Sequence, residues 1–473
     1  MTVDVAVIGG GISGLFAAYE LVCRGHRVAV LERQVRAGGN AISERLGGFL
    51  MEHGPSSVNA ASPVADDLSR RVGIDALRCE LGSGVRYRYL VRAGTLHRIP
   101  IHPFGFLASP YLTIGGRLRM MAEPLVPPLR IDAGETVAAF WRRRFGSEFS
   151  DRVIDPLVGG LFAGRAAELS MAATFPAVLD MEQRFGSVIR GAIRSRRAGG
   201  RMPGRRLFSW RDGVGTLPQA IVRELGCAVR TGIAVRRITR LAGSFRVEAA
   251  NSAALHARVV VIATQPHVAA ALLDGIDGPG AEAAGAIDAP PLAVTFLGYA
   301  RRQVDHPLDG LGYLTPSAER RALSGALFCS TMFAARAPEE HVALVGYGGG
   351  ARAPDLALRT SAELIAIARE EFSDLLGARG DPVVARVRRW PRGLPQYRSG
   401  HERHVAALRD VERRCAGLFV TGNYFAGVSV AACLTQALAT ASRVHGVLRG
   451  DREDLDRTAP THPSSSAARC SIA

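Results

Sequence analysis

From Val3 to Ile8 the chain is an apolar, mostly β-branched run followed by glycines, the mark of a short buried strand. A helical periodicity from Ser13 to Arg24 and a second apolar run from Arg27 to Leu31 complete a strand–helix–strand unit at the N-terminus. Between Pro100 and Arg206 the texture changes to longer helical periodicities with prolines at both ends, which predicts a mainly helical insertion. Alternation resumes at 227–237 and 245–249, and a buried strand at 258–263 runs into the turn Thr264-Gln265-Pro266. Apolar runs at 293–299 and 341–347 predict strands of a second sheet, and 361–376 a long helix. A last buried strand and glycine-rich turn occupy 417–427 and lead into a helix through Ser442, and beyond Gly450 a polar, proline- and serine-containing stretch reads as a disordered tail. The N-terminal, middle and C-terminal pieces all look like parts of one α/β layer. The predicted division is therefore discontinuous: 1–60, 205–270 and 410–447 form the first unit, 61–100 and 271–409 a mixed-sheet second, 101–204 a helical insertion, and 451–473 the tail.

Composition adds an unusual charge. The 473 residues hold 59 Lys+Arg against 43 Asp+Glu, a net +16, and none of the 59 is lysine. This excludes a lysine Schiff base and a P-loop lysine. Genomic composition bias accounts for an all-arginine chain, with anion affinity as the functional counterpart. No zinc-finger spacing or RNP-like motif supports a nucleic-acid partner. The seven cysteines contain no C-x-x-C pair, which argues against a metal site or redox dithiol and fits a reducing compartment. The N-terminus lacks the basic and apolar regions of a signal peptide, and no apolar run approaches the roughly 20 residues that cross a bilayer.

Gly9-Gly10-Gly11-Ile12-Ser13-Gly14 is a G-x-G-x-x-G run between predicted strand and helix, with Glu32 closing the next strand. Gly9 permits the tight turn, Gly11 lets the backbone approach a pyrophosphate, Gly14 lets helix and strand pack, and the helix N-terminus attracts the phosphates. Ile12 and Ser13 open that helix, and Glu32 is placed to accept from the adenosine ribose hydroxyls. The continuation distinguishes FAD from NAD: Arg36-Ala37-Gly38-Gly39-Asn40 offers backbone and a cation to a longer dinucleotide, and Gly54-Pro55 borders the isoalloxazine. The fold class is thus α/β, a Rossmann-like FAD-binding domain with a mixed-sheet substrate domain and a helical insertion.

Further blocks carry a resemblance. They are Pro156-Leu-Val-Gly-Gly-Leu-Phe-Ala-Gly164 with Glu168-Leu-Ser170, Phe175-Pro176 and Glu182-Gln183; Phe208-Ser-Trp-Arg-Asp-Gly213-Val-Gly215-Thr216-Leu217-Pro218; Leu394-Pro-Gln-Tyr-Arg-Ser-Gly400-His401; and Phe419-Val-Thr-Gly422-Asn-Tyr-Phe-Ala-Gly427-Val-Ser-Val430 with Cys433. With the N-terminal fingerprint they resemble the oxygen-dependent protoporphyrinogen oxidase family, within the amine oxidase and phytoene desaturase superfamily. The resemblance implies FAD-dependent oxidation of a porphyrinogen, protoporphyrinogen IX or coproporphyrinogen III, to the porphyrin in haem or chlorophyll biosynthesis. Oxygen would be the acceptor and hydrogen peroxide the product. A related oxidase or desaturase acting on another apolar substrate is the alternative. Hydride leaves a methylene bridge for the flavin, so no catalytic acid, base or metal is expected.

By the same resemblance, Arg88 pairs with a substrate carboxylate, Gly159 and Gly160 form a turn over the flavin, and Leu311, Leu314 and Leu327 line the macrocycle wall. Val235 contacts adenine, Ala263 and Thr264 follow the buried strand, and Gly422, Gly427, Val428 and Val430 make the C-terminal flavin turn. Trp390 and His401 are read as core. Three positions depart from the family: Ala432 before Cys433, Ala437, and Gly346, a wall position that is larger in relatives, which implies a roomier pocket. The apolar, proline-broken run from Ile101 with Tyr111, Leu112, Leu125 and Val126, and the arginine block 190–211, raise peripheral contact with a bacterial inner membrane. That stands beside a free cytoplasmic enzyme, and a homodimer is open.

Overall fold

The computed structural model describes residues 2–60, 62–100, 109–129, 134–197, 207–250 and 252–450. The tail, the run 101–108 and Arg201, Arg205 and Arg206 lie outside the described residues. Two seven-stranded sheets dominate. In the first, Val229–Arg230, Val28–Leu31, Thr2–Ile8 and the C-terminal half of Ser252–Ile262 run parallel, and Leu418–Val420 adds parallel to that last half. The N-terminal half of Ser252–Ile262 instead pairs antiparallel with Ser244–Ala249, which pairs with Val235–Leu241. Both faces of the parallel part are covered, which is why its strands read as unbroken apolar runs. Val5 and Val7 meet Ile12–Cys23, Thr216–Leu225 and Val430–Arg449 on one side. Ala6 and Ile8 meet Pro266–Leu273, Gly278–Gly285 and His401–Arg414 on the other.

The second sheet runs Val384–Trp390, Leu292–Ala300, His341–Gly349, Leu323–Phe328, Gly310–Leu314, Tyr87–Arg92, Thr95–Pro100. All its pairs are antiparallel except Gly310–Leu314 with Tyr87–Arg92. Side-chain alternation gives it two apolar faces. Tyr89, Tyr313, Ala326 and Leu344 pack under the helix Ser361–Leu376. Val294, Phe296 and Val345 pack against the hairpin Ser43–Leu46/Phe49–Glu52 of the N-terminal segment. That hairpin turns on Gly47 and Gly48, at φ 57° and 81°, the two left-handed residues of a tight two-residue turn.

Helices between Ile114 and Arg197 form the third layer. One of them widens into a π turn at Ser150–Ile154 immediately before Asp155–Phe162, where Pro156 has no N–H and would press on a carbonyl of the turn before it. Buried and half-buried charges hold this layer. Arg144 pairs with Glu123 and lies 3.3 Å from Glu182, while Arg143 reaches Glu182 at 2.7 Å and Glu135 at 2.9 Å.

Another buried pair ties the sheets together. Arg336, on the loop before His341–Gly349, donates to Ser209 Oγ at 2.8 Å and to the carbonyls of Trp210 and Arg211, and stands 3.7 Å from Glu52 at the hairpin's end. Burial pushes the Glu52 carboxyl up to about 7, outweighing donation from Ser43 Oγ and Val214 N–H and the nearby Arg336 cation. A folded pKa above the unfolded one, about 4.3, means stabilisation complete in acid and lost as pH rises through 7. Between pH 5 and 8 wild type should therefore lose on the order of 3 kcal/mol more stability than Glu52→Gln, which keeps the neutral shape. Urea midpoints of both proteins across that range check it.

Candidate active site

The strands of the first sheet end where the glycines begin. Gly9 has φ 105°, and a Cβ there would stand 2.6 Å from the Ala263 carbonyl oxygen and 3.2 Å from Thr264 Cγ2. Ala263 and Thr264 thus border the dinucleotide turn. A Cβ on Gly14 would come within 2.0 Å of the Gly9 carbonyl oxygen, so the helix Ile12–Cys23 crosses as closely as a missing side chain allows. Gly11 differs from both. Its backbone is extended, φ −76° and ψ 177°, and a Cβ there meets nothing within 4 Å. Neither conformation nor packing requires glycine at Gly11, which leaves the space in front of it as the reason. That space opens at the N-terminus of a helix, as a pyrophosphate needs.

Around this cradle the other residues expected at the cofactor converge. Glu32 is buried, with Oε2 accepting from Gly10 N–H at 2.7 Å and Oε1 from Gln34 N–H at 2.8 Å, an orientation that leaves lone pairs for ribose hydroxyls. The backbone of Gly232 and Ile233 bonds to Gln34 and Glu32, bringing Val235, at the start of its strand, to the same end. Gly38 bridges to Gly11, and a Cβ on Gly39 would meet Gly11 Cα at 3.0 Å. Arg36 folds over that loop, donating to the carbonyls of Ala37 and Gly39. Gly54, before Pro55, packs on Asn40, whose carbonyl oxygen would be 2.0 Å from a Cβ. On the opposite rim Gly427, φ 129°, donates its N–H to Tyr397 Oη at 3.0 Å, and Tyr397 Oη donates to the Asn423 carbonyl. Tyr397 stacks on buried His401, whose Nε2 meets the Tyr424 carbonyl at 2.8 Å. Gly422 and Val428 belong to this loop, and Ser429 caps the helix that Val430 opens. Ser13 faces Cys433, so the first turns of the two helices meet beside the cradle.

The second sheet supplies the facing wall. Arg88 and Leu90 point away from the Tyr89 face, and Leu314 and Leu327 share that side. Arg88 is half-buried, and burial lowers its pKa. Leu314 reaches Gly160, where a Cβ would stand 2.5 Å from its Cδ2. Leu311 is half-buried at the strand's irregular register with Tyr87–Tyr89 and does not join Leu314.

Two expectations need correction. Gly159 and Gly160 are not a turn: both lie inside the helix Asp155–Phe162, which ends at Ala163 in left-handed conformation. Gly159 is covered by Arg352, whose Cζ would be 2.5 Å from a Cβ. Its size therefore serves that guanidinium, which pairs with Asp155 at 3.1 Å and donates to the Thr315 carbonyl at 2.9 Å. Nor does Gly346 enlarge the pocket. Alternation turns it toward Leu323 and Phe372 under the outer helix, on the side away from Leu327. Arg352, Asp155 and Tyr397 were missed because each acts through a partner remote in sequence. The smallness of Gly159 was the one trace of Arg352.

The sequence pattern described as flavin containing amine oxidoreductase matches residues 12–445. The chain belongs to that family. It carries a protoporphyrinogen oxidase-like version of the flavoprotein fold and is an FAD-dependent oxidoreductase. It is 30% identical to the mitochondrial protoporphyrinogen oxidase of Nicotiana tabacum over 489 aligned residues, covering 96% of this chain and 97% of that one. It is 26% identical to coproporphyrinogen III oxidase of Staphylococcus aureus, covering 94% and 99%. A crystal structure from Exiguobacterium sp. 255-15 superposes with a TM-score of 0.80 at 21% identity, over 94% of this chain and 99% of that one.

The glycines of this flavoprotein separate by experiment. Gly11→Ala should strip FAD on gel filtration yet leave the FAD-free protein within about 1 kcal/mol of FAD-free wild type, whereas Gly14→Ala should lower the stability of the FAD-free protein by several kcal/mol, on the order of an overpacked core. Tm and the 450 nm flavin absorbance per chain measure both.

Proposed function

We propose that this chain oxidises a porphyrinogen to the porphyrin by successive two-electron steps, with oxygen as final acceptor and hydrogen peroxide as product, in tetrapyrrole biosynthesis. The observation that carries this reading is the make-up of one face of the second sheet: half-buried Arg88 shares it with apolar Leu314, which packs in one cluster with Val428, and Leu327, which packs with Phe49 and Met51. A flat apolar macrocycle with carboxylate arms asks for that combination. The names of the tobacco and staphylococcal relatives point the same way.

The flavin, when bound, supplies the hydride acceptor. The chain's own task is positioning. Leu314, held over Gly160, limits where a ring can lie, and the Arg88 guanidinium fixes a propionate by a charge-assisted bond strengthened by low local polarity. The N-terminus of the helix that Val430 opens favours the negative charge that reduction brings. No group of three or more metal-ligating side chains occurs among the described residues. Aerobic incubation of the yellow holoprotein with protoporphyrinogen, and separately with coproporphyrinogen, should release porphyrin fluorescence and peroxide from at least one; silence with both refutes the reading. Arg88→Ala should raise KM about tenfold or more with FAD content unchanged, the loss of one charged hydrogen bond.

Peripheral membrane contact belongs to the same proposal. Ile114, Leu118, Met121 and Leu125, 51% to 81% exposed, follow one another at helical spacing on and just after Ile114–Met121. No helix among the described residues is long and apolar enough to cross a membrane. In flotation assays the protein should rise with anionic vesicles, and Leu118→Ser/Leu125→Ser should leave it at the bottom with oxidase activity intact.

A further inference from the structure

The edge strand Val384–Trp390 turns Arg386, Arg388 and Trp390 toward the hairpin that follows the Gly38–Gly39 loop, since Arg388 pairs in register with Val294 of the face packed on Phe49 and Met51. Two of the three have partners there. Arg386 Nε lies 3.8 Å from Glu44, and Trp390 Nε1 donates to the His53 carbonyl at 2.7 Å, beside Gly54-Pro55. Arg388 is different. Its guanidinium carbon stands 4.5 Å over the Trp390 ring, its Nε is buried without an acceptor, and no carboxylate among the described residues pairs with it. The charge it meets is a like one, Arg36, whose pKa is lowered by burial first and by Arg388 second.

Two guanidinium groups converging in a half-buried seam, one of them unpaired, are unfavourable until an anion lies between them. Arg36 is anchored on the loop that bridges to Gly11, so the seam adjoins the open cradle in front of Gly11. We propose that Arg388 reaches across from the second sheet and, with Arg36, clamps the FAD pyrophosphate. The forked donors suit phosphate oxygens, and the Trp390 ring holds the fork in place. The cofactor then ties the two sheets together as well as filling the first. This rests on occupancy of the cradle by FAD.

The test is the FAD Kd of the full-length holoprotein, read from flavin fluorescence on dilution, for wild type, R388Q and R388K at low and high salt. R388Q should weaken FAD roughly ten- to hundred-fold and flatten the salt dependence, and R388K should lose less. An unchanged Kd in R388Q overturns the clamp, as does a rise in porphyrinogen KM with FAD retained, which would assign Arg388 to a substrate carboxylate. Should R388Q fail to fold by circular dichroism, wild type alone decides: a Kd indifferent to salt between about 50 and 500 mM overturns the clamp. A wild-type chain that takes up no FAD at all overturns the flavin reading as well.

Discussion

The close crossing of the helix Ile12–Cys23 over the turn at Gly9 governs the rest of this molecule. It exists because Gly14 has no Cβ, and it aims the helix N-terminus at the space before Gly11. The loop at Gly38–Gly39 leans on Gly11, Gly54 leans on Asn40 of that loop, and the hairpin between them packs under the second sheet. Displacing the crossing by the width of a methyl group would move each of these in turn, because close-packed contacts transmit displacement.

Buried arginines then perform joining that a lysine would do less well. Arg336 spreads donors over Ser209, Trp210 and Arg211 beside Glu52, Arg144 serves Glu123 and Glu182, and Arg352 joins Asp155 to the end of the second sheet. Each is a planar fork with several acceptors, the geometry in which a buried cation can be compensated. The all-arginine composition thus has structural uses inside the protein as well as a net charge outside it.

The chemistry asked of the protein is correspondingly passive. Its wall is apolar, the tyrosine on that face, Tyr347, has its pKa raised by burial, and His401 is occupied by Tyr397 and Tyr424. Such groups orient and exclude water.

Local pattern determined what depends on local constraint. The helix 361–376, the strands near 293–299 and 341–347, the turn at Gly9 and the close helix crossing at Gly14 were legible because period, turn geometry and missing Cβ atoms are encoded within a few residues. Which way a side chain faces was not. Gly346 proved to sit under the outer helix, Gly159 under Arg352, and Arg388 beside Arg36, because each outcome depends on strand register and on partners brought from distant segments. The sequence by itself determined a flavin-binding α/β protein. Only the tertiary structure decided which small residues make room for a ligand and which make room for an arginine, since a missing Cβ looks the same in sequence whatever fills its place.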